Sequence, residues 1–226
     1  MPDVGALPLR NRDPETWASL RKGGLPRRVE RGSVLLHEGD ASDYVVLIED
    51  GSLKVVAIAE NGTEVVLAVR RSGDIVGDFA AVESRPRSAS LVALQRSTVV
   101  IVTATTLRTT LRQRPEAAMS LLRSTVWRIN EGDRRRIECS SYEVPERIRR
   151  VLVELVEMFR PEGQDDAVPV LIPLIQQDLA SLSAASREST ARVLRLLRER
   201  GIVQTARSRI LVVRPDLLDG IEPDRR

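Results

Sequence analysis

Between residues 29 and 102 the chain alternates short runs rich in Val, Ile and Leu with turn-forming groups at Gly32, Glu38-Gly39-Asp40, Asp50-Gly51, Asn61-Gly62 and Gly73-Asp74. Strands at this spacing predict a sandwich or jelly roll. Asn61-Gly62 lies between the apolar runs 55–59 and 65–69, and both turn residues tolerate positive φ, so a hairpin is predicted there. Residues 1 to about 25 mix Pro, Gly, Arg and Leu around 14–20 and predict one or two short helical turns that cap the roll. Near Ala104 the period lengthens. After Pro115 the residues Ala118, Leu121, Leu122, Val126, Ile129 and Ile137 continue at largely three- and four-residue spacing, which predicts one long helix over about 115–141 with an apolar face. Its length exceeds what one β-domain covers, so the face is expected to pair with the same helix of a second chain; packing on the roll alone is the other reading.

Pro145 and the polar residues before it interrupt the pattern, because proline lacks a donor and biases its predecessor away from helix while fitting a first helical turn. This divides the chain into 1–143 and 144–226. Helix resumes over 146–159, and 160–166 is a polar loop. Residues 175–182 and 186–194 then have the layout of two short helices joined by a tight turn, with Ser186 as N-cap of the second. In that second helix Thr190, Val193, Leu194 and Leu197 share one side, whereas Glu188, Arg192, Arg195 and Glu199 project from the other and Arg187 stands at the leading edge. Arginine forks match guanine O6 and N7, and a carboxylate accepts from cytosine N4, so this face suits a DNA groove. The same face also suits a solvated amphipathic helix. Residues 202–205 and 210–213 flank Arg207-Ser208-Arg209 as a hairpin wing whose arginines would meet phosphates. Arg225-Arg226 reads as a tail.

The candidate ligand chemistry lies in Gly77-Asp78-Phe79-Ala80-Ala81 and Arg87-Ser88-Ala89. Gly77 lets backbone N–H groups approach a ligand, a helical turn after it aims its positive end at an anion, and Arg87 offers a planar fork for phosphate oxygens. On this reading Arg87 serves the anion and not the core, and Asp78 accepts from a ribose hydroxyl. A surface turn beside a solvated arginine is the plainer alternative.

The 226 residues suit two domains, and 35 basic against 32 acidic residues leave a net charge of only +3. Attraction to nucleic acid must therefore come from local charge. A lone cysteine, Cys139, permits no internal disulfide and no iron–sulfur cluster; a lone histidine, His37, makes a poor metal site and leaves no Ser/His or Cys/His pair. No catalytic residue and no metal are assigned. With neither a secretory signal nor a membrane span in the sequence, a cytoplasmic location is expected.

Taken together, roll, cassette, long helix and helix-turn-helix resemble the cyclic-AMP receptor protein/FNR family of bacterial transcription regulators over roughly 26–213. The resemblance implies an α+β chain: an N-terminal double-stranded β-helix that binds a cyclic nucleotide, a long dimerisation helix and a C-terminal winged helix-turn-helix. It implies a homodimer on palindromic double-stranded DNA and contact with RNA polymerase; no haem and no enzymatic activity are expected. Gly77, Asp78, Phe79, Ala80, Arg87 and Ser88 stand at its phosphate-binding cassette, with Asp78 shorter than the family's usual glutamate. Arg187, Glu188 and Arg192 match its base-contacting positions, with Gln176, Ser186 and Arg207 alongside on DNA. Ala184 departs from the family, which usually has glycine in that turn. So does Gly132-Asp133, which stands where the cyclic-AMP receptor carries a Thr-Ser pair against adenine. An ionised Asp133 only accepts hydrogen bonds and would suit the paired N1–H and 2-amino group of guanine, unless it is paired with Arg134, Arg135 or Arg136; the effector is therefore read as cyclic AMP or cyclic GMP. A regulator of this fold that needs no ligand, and a nucleotide-binding module that docks only protein, are the alternatives.

Overall fold

The computed structural model describes residues 7–83, 85–161 and 163–218, so the Arg225-Arg226 tail lies outside the described residues. Two compact units divide between Asp133 and Arg134, inside a helix and not at the expected 143/144 boundary.

In the first unit, α1 (Leu9–Arg12) and α2 (Pro14–Lys22) precede a roll made of β1 (Leu25–Val29), β2 (Val34–Leu36), β3 (Tyr44–Asp50), β4 (Ser52–Ile58), β5 (Glu64–Arg71) and β6 (Ile75–Val76). It continues through α3 (Asp78–Glu83), β7 (Ser90–Ala93) and β8 (Ser97–Thr103), and then α4 (Ala104–Gln113) and α5 (Pro115–Ser141) follow. Two four-stranded sheets form, in the orders β1-β8-β3-β6 and β2-β7-β4-β5. The unbroken apolar run Val45-Val46-Leu47-Ile48 in β3 is explained by burial on both faces. Val46 and Ile48 enter the core between the sheets with Leu53, Leu91 and Val99, whereas Val45 and Leu47 join Trp17, Leu20, Leu107 and Leu121 under the helices. The predicted hairpin joins β4 to β5, and Ala59 N–H donating to the Thr63 carbonyl (2.9 Å) closes it around three residues, with Gly62 at φ +79°. Positive φ is thus needed at Gly62 and not at Asn61, whose side chain accepts from Thr63 N–H instead (3.0 Å).

The predicted N-terminal turns are two helices. Asp13 caps α2 by accepting from Thr16 N–H (3.0 Å), and Arg12 fastens α1 to α5 by donating to Ser120 Oγ (3.0 Å) and Ser124 Oγ (2.5 Å). On α5 itself, Ala117 and Leu121 pack inward while Met119, Leu122, Val126 and Ile129 are exposed at spacings of three, four and three.

The second unit holds the end of α5, then α6 (Val144–Phe159), β9 (Val170–Ile172), α7 (Gln176–Leu182), α8 (Arg187–Glu199), β10 (Val203–Ala206) and β11 (Arg209–Val212). The last turns of α5 are tied to α6: Arg134 and Arg135 pair with Glu154, and Arg150 pairs with Glu138 (3.6 Å). These pairs bring residues 134–141 into the second unit although proline enters only at 145. The wing is a three-stranded sheet, β10-β11-β9; β9 is a strand that the sequence pattern did not predict.

Candidate functional site

Gly77 sits between β6 and α3 at φ +83°, where an added Cβ would lie 2.8 Å from Arg87 Nη1 and 3.1 Å from Leu36 Cδ1. Backbone conformation and space both demand glycine here. Arg87, whose guanidinium fills this cradle, is 4% exposed. Its Nε donates to Ser42 Oγ (2.9 Å), Nη1 to the Gly77 carbonyl (2.7 Å) and Nη2 to the Tyr44 carbonyl, with the Tyr44 ring centroid 5.3 Å from Cζ. Burial holds its pKa below the usual arginine value, opposed by Tyr44, Asp43, Asp40 and Asp78. The expectation that Arg87 serves an anion and not the core is therefore corrected in one respect: a buried guanidinium must satisfy its donors, and these brace the roll.

Asp78 opens α3 and is buried; Nη1 and Nη2 of Arg128, from α5, donate to its two oxygens at 3.1 and 2.5 Å. Arg128 also lies over the Phe79 ring, 4.4 Å from the centroid. Arg108 of α4 donates to the Ala81 carbonyl at the end of the same short helix (2.8 Å). Within the cassette Gly77 is thus held by Arg87, and Asp78 and Phe79 by Arg128, while Ala80 is half-buried in α3 and Ser88 is exposed on the turn after Arg87. Asp133 is exposed further along α5. Arg128 escaped the sequence reading because only tertiary packing brings position 128 to position 78. His37 is exposed. Among the described residues no group of His, Cys, Asp and Glu could hold a metal ion.

In the second unit Ser186 caps α8 by accepting from Ser189 N–H (3.1 Å), and the apolar side of α8 is buried through Thr190, Leu194 and Leu197. Arg187, Glu188 and Arg192 are exposed on the other side. Gln176, Gln177, Arg187, Glu188 and Ala191 line one open cleft between α7 and α8. Gln177, which the sequence reading passed over, places Oε1 out of contact with solvent and without a hydrogen-bond partner. Asp178 is buried and reaches back to accept from Ile175 N–H (3.2 Å), fixing the start of α7. Ala184, in the turn, has φ +48°, a left-handed conformation that costs an L residue roughly 1–2 kcal/mol. Arg207 is exposed at the tip of the β10-β11 hairpin.

A roll with a glycine–carboxylate–arginine cassette, followed by a long helix and a helix-turn-helix, is the architecture of the cyclic nucleotide-responsive transcription regulators. Residues 26–114 match the cyclic nucleotide-binding domain and residues 146–221 the Crp-like helix-turn-helix domain. The chain belongs to the cyclic-AMP receptor protein/FNR family of bacterial transcription regulators, a family of regulators and not of enzymes. It is 26% identical over 200 residues to a CRP-like cAMP-activated global transcriptional regulator of Mycobacterium tuberculosis, a match that covers 88% of this chain and 89% of that protein. With the cyclic AMP receptor protein of Thermus thermophilus it shares 25% identity over 195 residues, covering 86% and 87% of the two chains. The fold is also that of the c-di-GMP responsive global regulator CLP of Xanthomonas campestris (TM-score 0.70, 23% identity, 88% of this chain and 99% of that one).

Proposed function

We propose that this chain is a cytoplasmic, homodimeric transcription regulator that reads a palindromic operator with α8 and takes a cyclic nucleotide in the roll. The observation that carries the reading is the exposed trio Arg187, Glu188 and Arg192 on a capped helix whose opposite side is core, beside a cleft lined by Gln176 and Gln177. Gln176, Ser186 and Arg207 are read as contacts to phosphates and neighbouring bases. Dimerisation is supported by Met119, Leu122, Val126 and Ile129, an exposed apolar stripe at the spacing that a helix pair buries. The roll residues fit the nucleotide. Arg87 retains N–H groups beyond those bonded to Ser42, Gly77 and Tyr44, and the Asp78 carboxylate keeps lone pairs for a ribose hydroxyl. Ligand binding is read as a population shift that changes how two copies of α8 are presented, with RNA polymerase as the downstream partner.

One observation favours a second reading, a regulator that needs no ligand: Arg87 and Asp78 are both already bonded within the protein. A gel shift on a palindromic duplex carrying the family's half-sites, run with and without cyclic AMP and cyclic GMP, separates the two. Nucleotide-dependent retardation supports effector control, and equal retardation without nucleotide supports the second. No retardation under any condition sinks the DNA-binding reading.

A further inference from the structure

Among the described residues Ala184 is the only non-glycine residue at positive φ, and it lies two residues before the N-cap of α8. The side chain that meets this strained turn is Arg147 of α6. Its Nε donates to the Ser183 carbonyl (3.0 Å) and its Nη2 to the Ala184 carbonyl (2.9 Å). Its Nη1 reaches the other way, to the Tyr142 carbonyl (2.9 Å), at the junction between α5 and α6. Tyr142 is gripped a second time: Arg150 Cζ lies 4.1 Å from its ring centroid, and Arg150 Nε donates to Glu146 (2.8 Å). All of these residues belong to the second unit.

A guanidinium is a rigid plane with donors at fixed angles, so three acceptors on three of its nitrogens fix the plane. The plane then fixes two turn carbonyls relative to the junction carbonyl. Those carbonyls belong to a turn that alanine adopts under strain, and the chain continues from them through Ala185 N–H, which donates to the Ala180 carbonyl (2.9 Å), into Ser186 and α8. The direction in which Arg187 and Glu188 leave the turn therefore depends on how the turn is held.

We propose that Arg147 is a positioning residue of the DNA-reading site, holding the strained Ser183-Ala184 turn, and with it the entry of α8, in register with the α5–α6 junction at Tyr142. It acts through the turn and not by touching DNA. The proposal rests on the reading of α8 as the recognition helix.

The test uses the full chain, a duplex that the parent protein itself selects from a random-sequence pool with cyclic AMP and cyclic GMP present, and a scrambled duplex of the same composition. Arg192→Ala is the reporter of base reading: an unchanged selected-to-scrambled affinity ratio in that variant overturns the recognition-helix reading and the proposal with it. Where Arg192→Ala does lower the ratio, Arg147→Met is expected to lower it by about tenfold, the scale of one mismatched base pair. Arg147→Lys, with one donor group in place of a fork, falls between. Adding Ala184→Gly restores most of the lost ratio, because glycine takes this φ without strain. Equal losses on both duplexes, no rescue by Ala184→Gly, or an Arg147→Lys protein as selective as the parent each overturn the proposal. If Arg147→Met does not fold, Arg147→Lys with and without Ala184→Gly carries the same comparison.

Discussion

Both carboxylate oxygens of Asp78 accept from Arg128, so the cassette and the long helix are joined by a two-point, charge-assisted contact whose side chains are 6% and 17% exposed. Removing one partner strands a buried charge. Arg128→Met is expected to cost about 3–5 kcal/mol of stability, the scale for breaking a buried pair. Replacing both, as in Arg128→Met with Asp78→Leu, should recover part of that loss. Thermal unfolding of the single and double variants checks the expectation, and additive losses would show that the pair is not coupled.

Arg87→Leu is expected to abolish nucleotide binding and also to destabilise the roll. The Gly77 and Tyr44 carbonyls lose their donors, at about 1–3 kcal/mol for each group left buried and unpaired. Calorimetry with cyclic AMP and cyclic GMP, beside a melting curve, measures both. A variant that melts like the parent but binds nothing would return Arg87 to a purely anion-binding role.

On DNA, Arg187→Ala and Arg192→Ala should each lose about 1–3 kcal/mol of discrimination at one base pair per half-site, while Arg207→Ala weakens all sequences evenly and flattens the salt slope. Equal losses on selected and random duplexes for all three would mean that α8 does not read bases.

The reading of Asp133 as the base contact predicts a preference. In the parent, cyclic GMP should bind more tightly than cyclic AMP, and Asp133→Ala should move the ratio of their affinities by about tenfold or more, the scale of one charge-assisted hydrogen bond. A ratio that stays put would leave Asp133 with no part in base choice.

The sequence showed the strands, the long helix and the helix-turn-helix because each carries a periodicity set by its own burial: β3 buries both faces and reads as a continuous apolar run, and α8 buries one and reads as a stripe. Gly77 and Arg87 stood out only through the resemblance to the family's cassette, since their spacing alone suits a surface turn beside a solvated arginine equally well. Tertiary geometry was not legible in the same way. Nothing near position 87 tells that Ser42 and the Gly77 and Tyr44 carbonyls will claim the guanidinium, and nothing near position 128 points to Asp78. The transfer of residues 134–141 to the second unit has the same origin, since Glu138 and Glu154 find their arginines only once α5 and α6 pack. The strand β9 was missed because three residues, Val170 to Ile172, are too few to show a period.

Gly132 lies inside α5, and a Cβ added there would meet nothing within 4 Å. Packing therefore does not require glycine at this position, yet glycine lowers helix stability by about 1 kcal/mol relative to alanine. That difference is about fivefold in the population of a locally opened turn. The rod is thus softest next to the place where its residues change allegiance from one unit to the other. In amide exchange, the turn around Gly132 should be the least protected stretch of α5 away from its ends, and Gly132→Ala should stiffen it without disturbing either core.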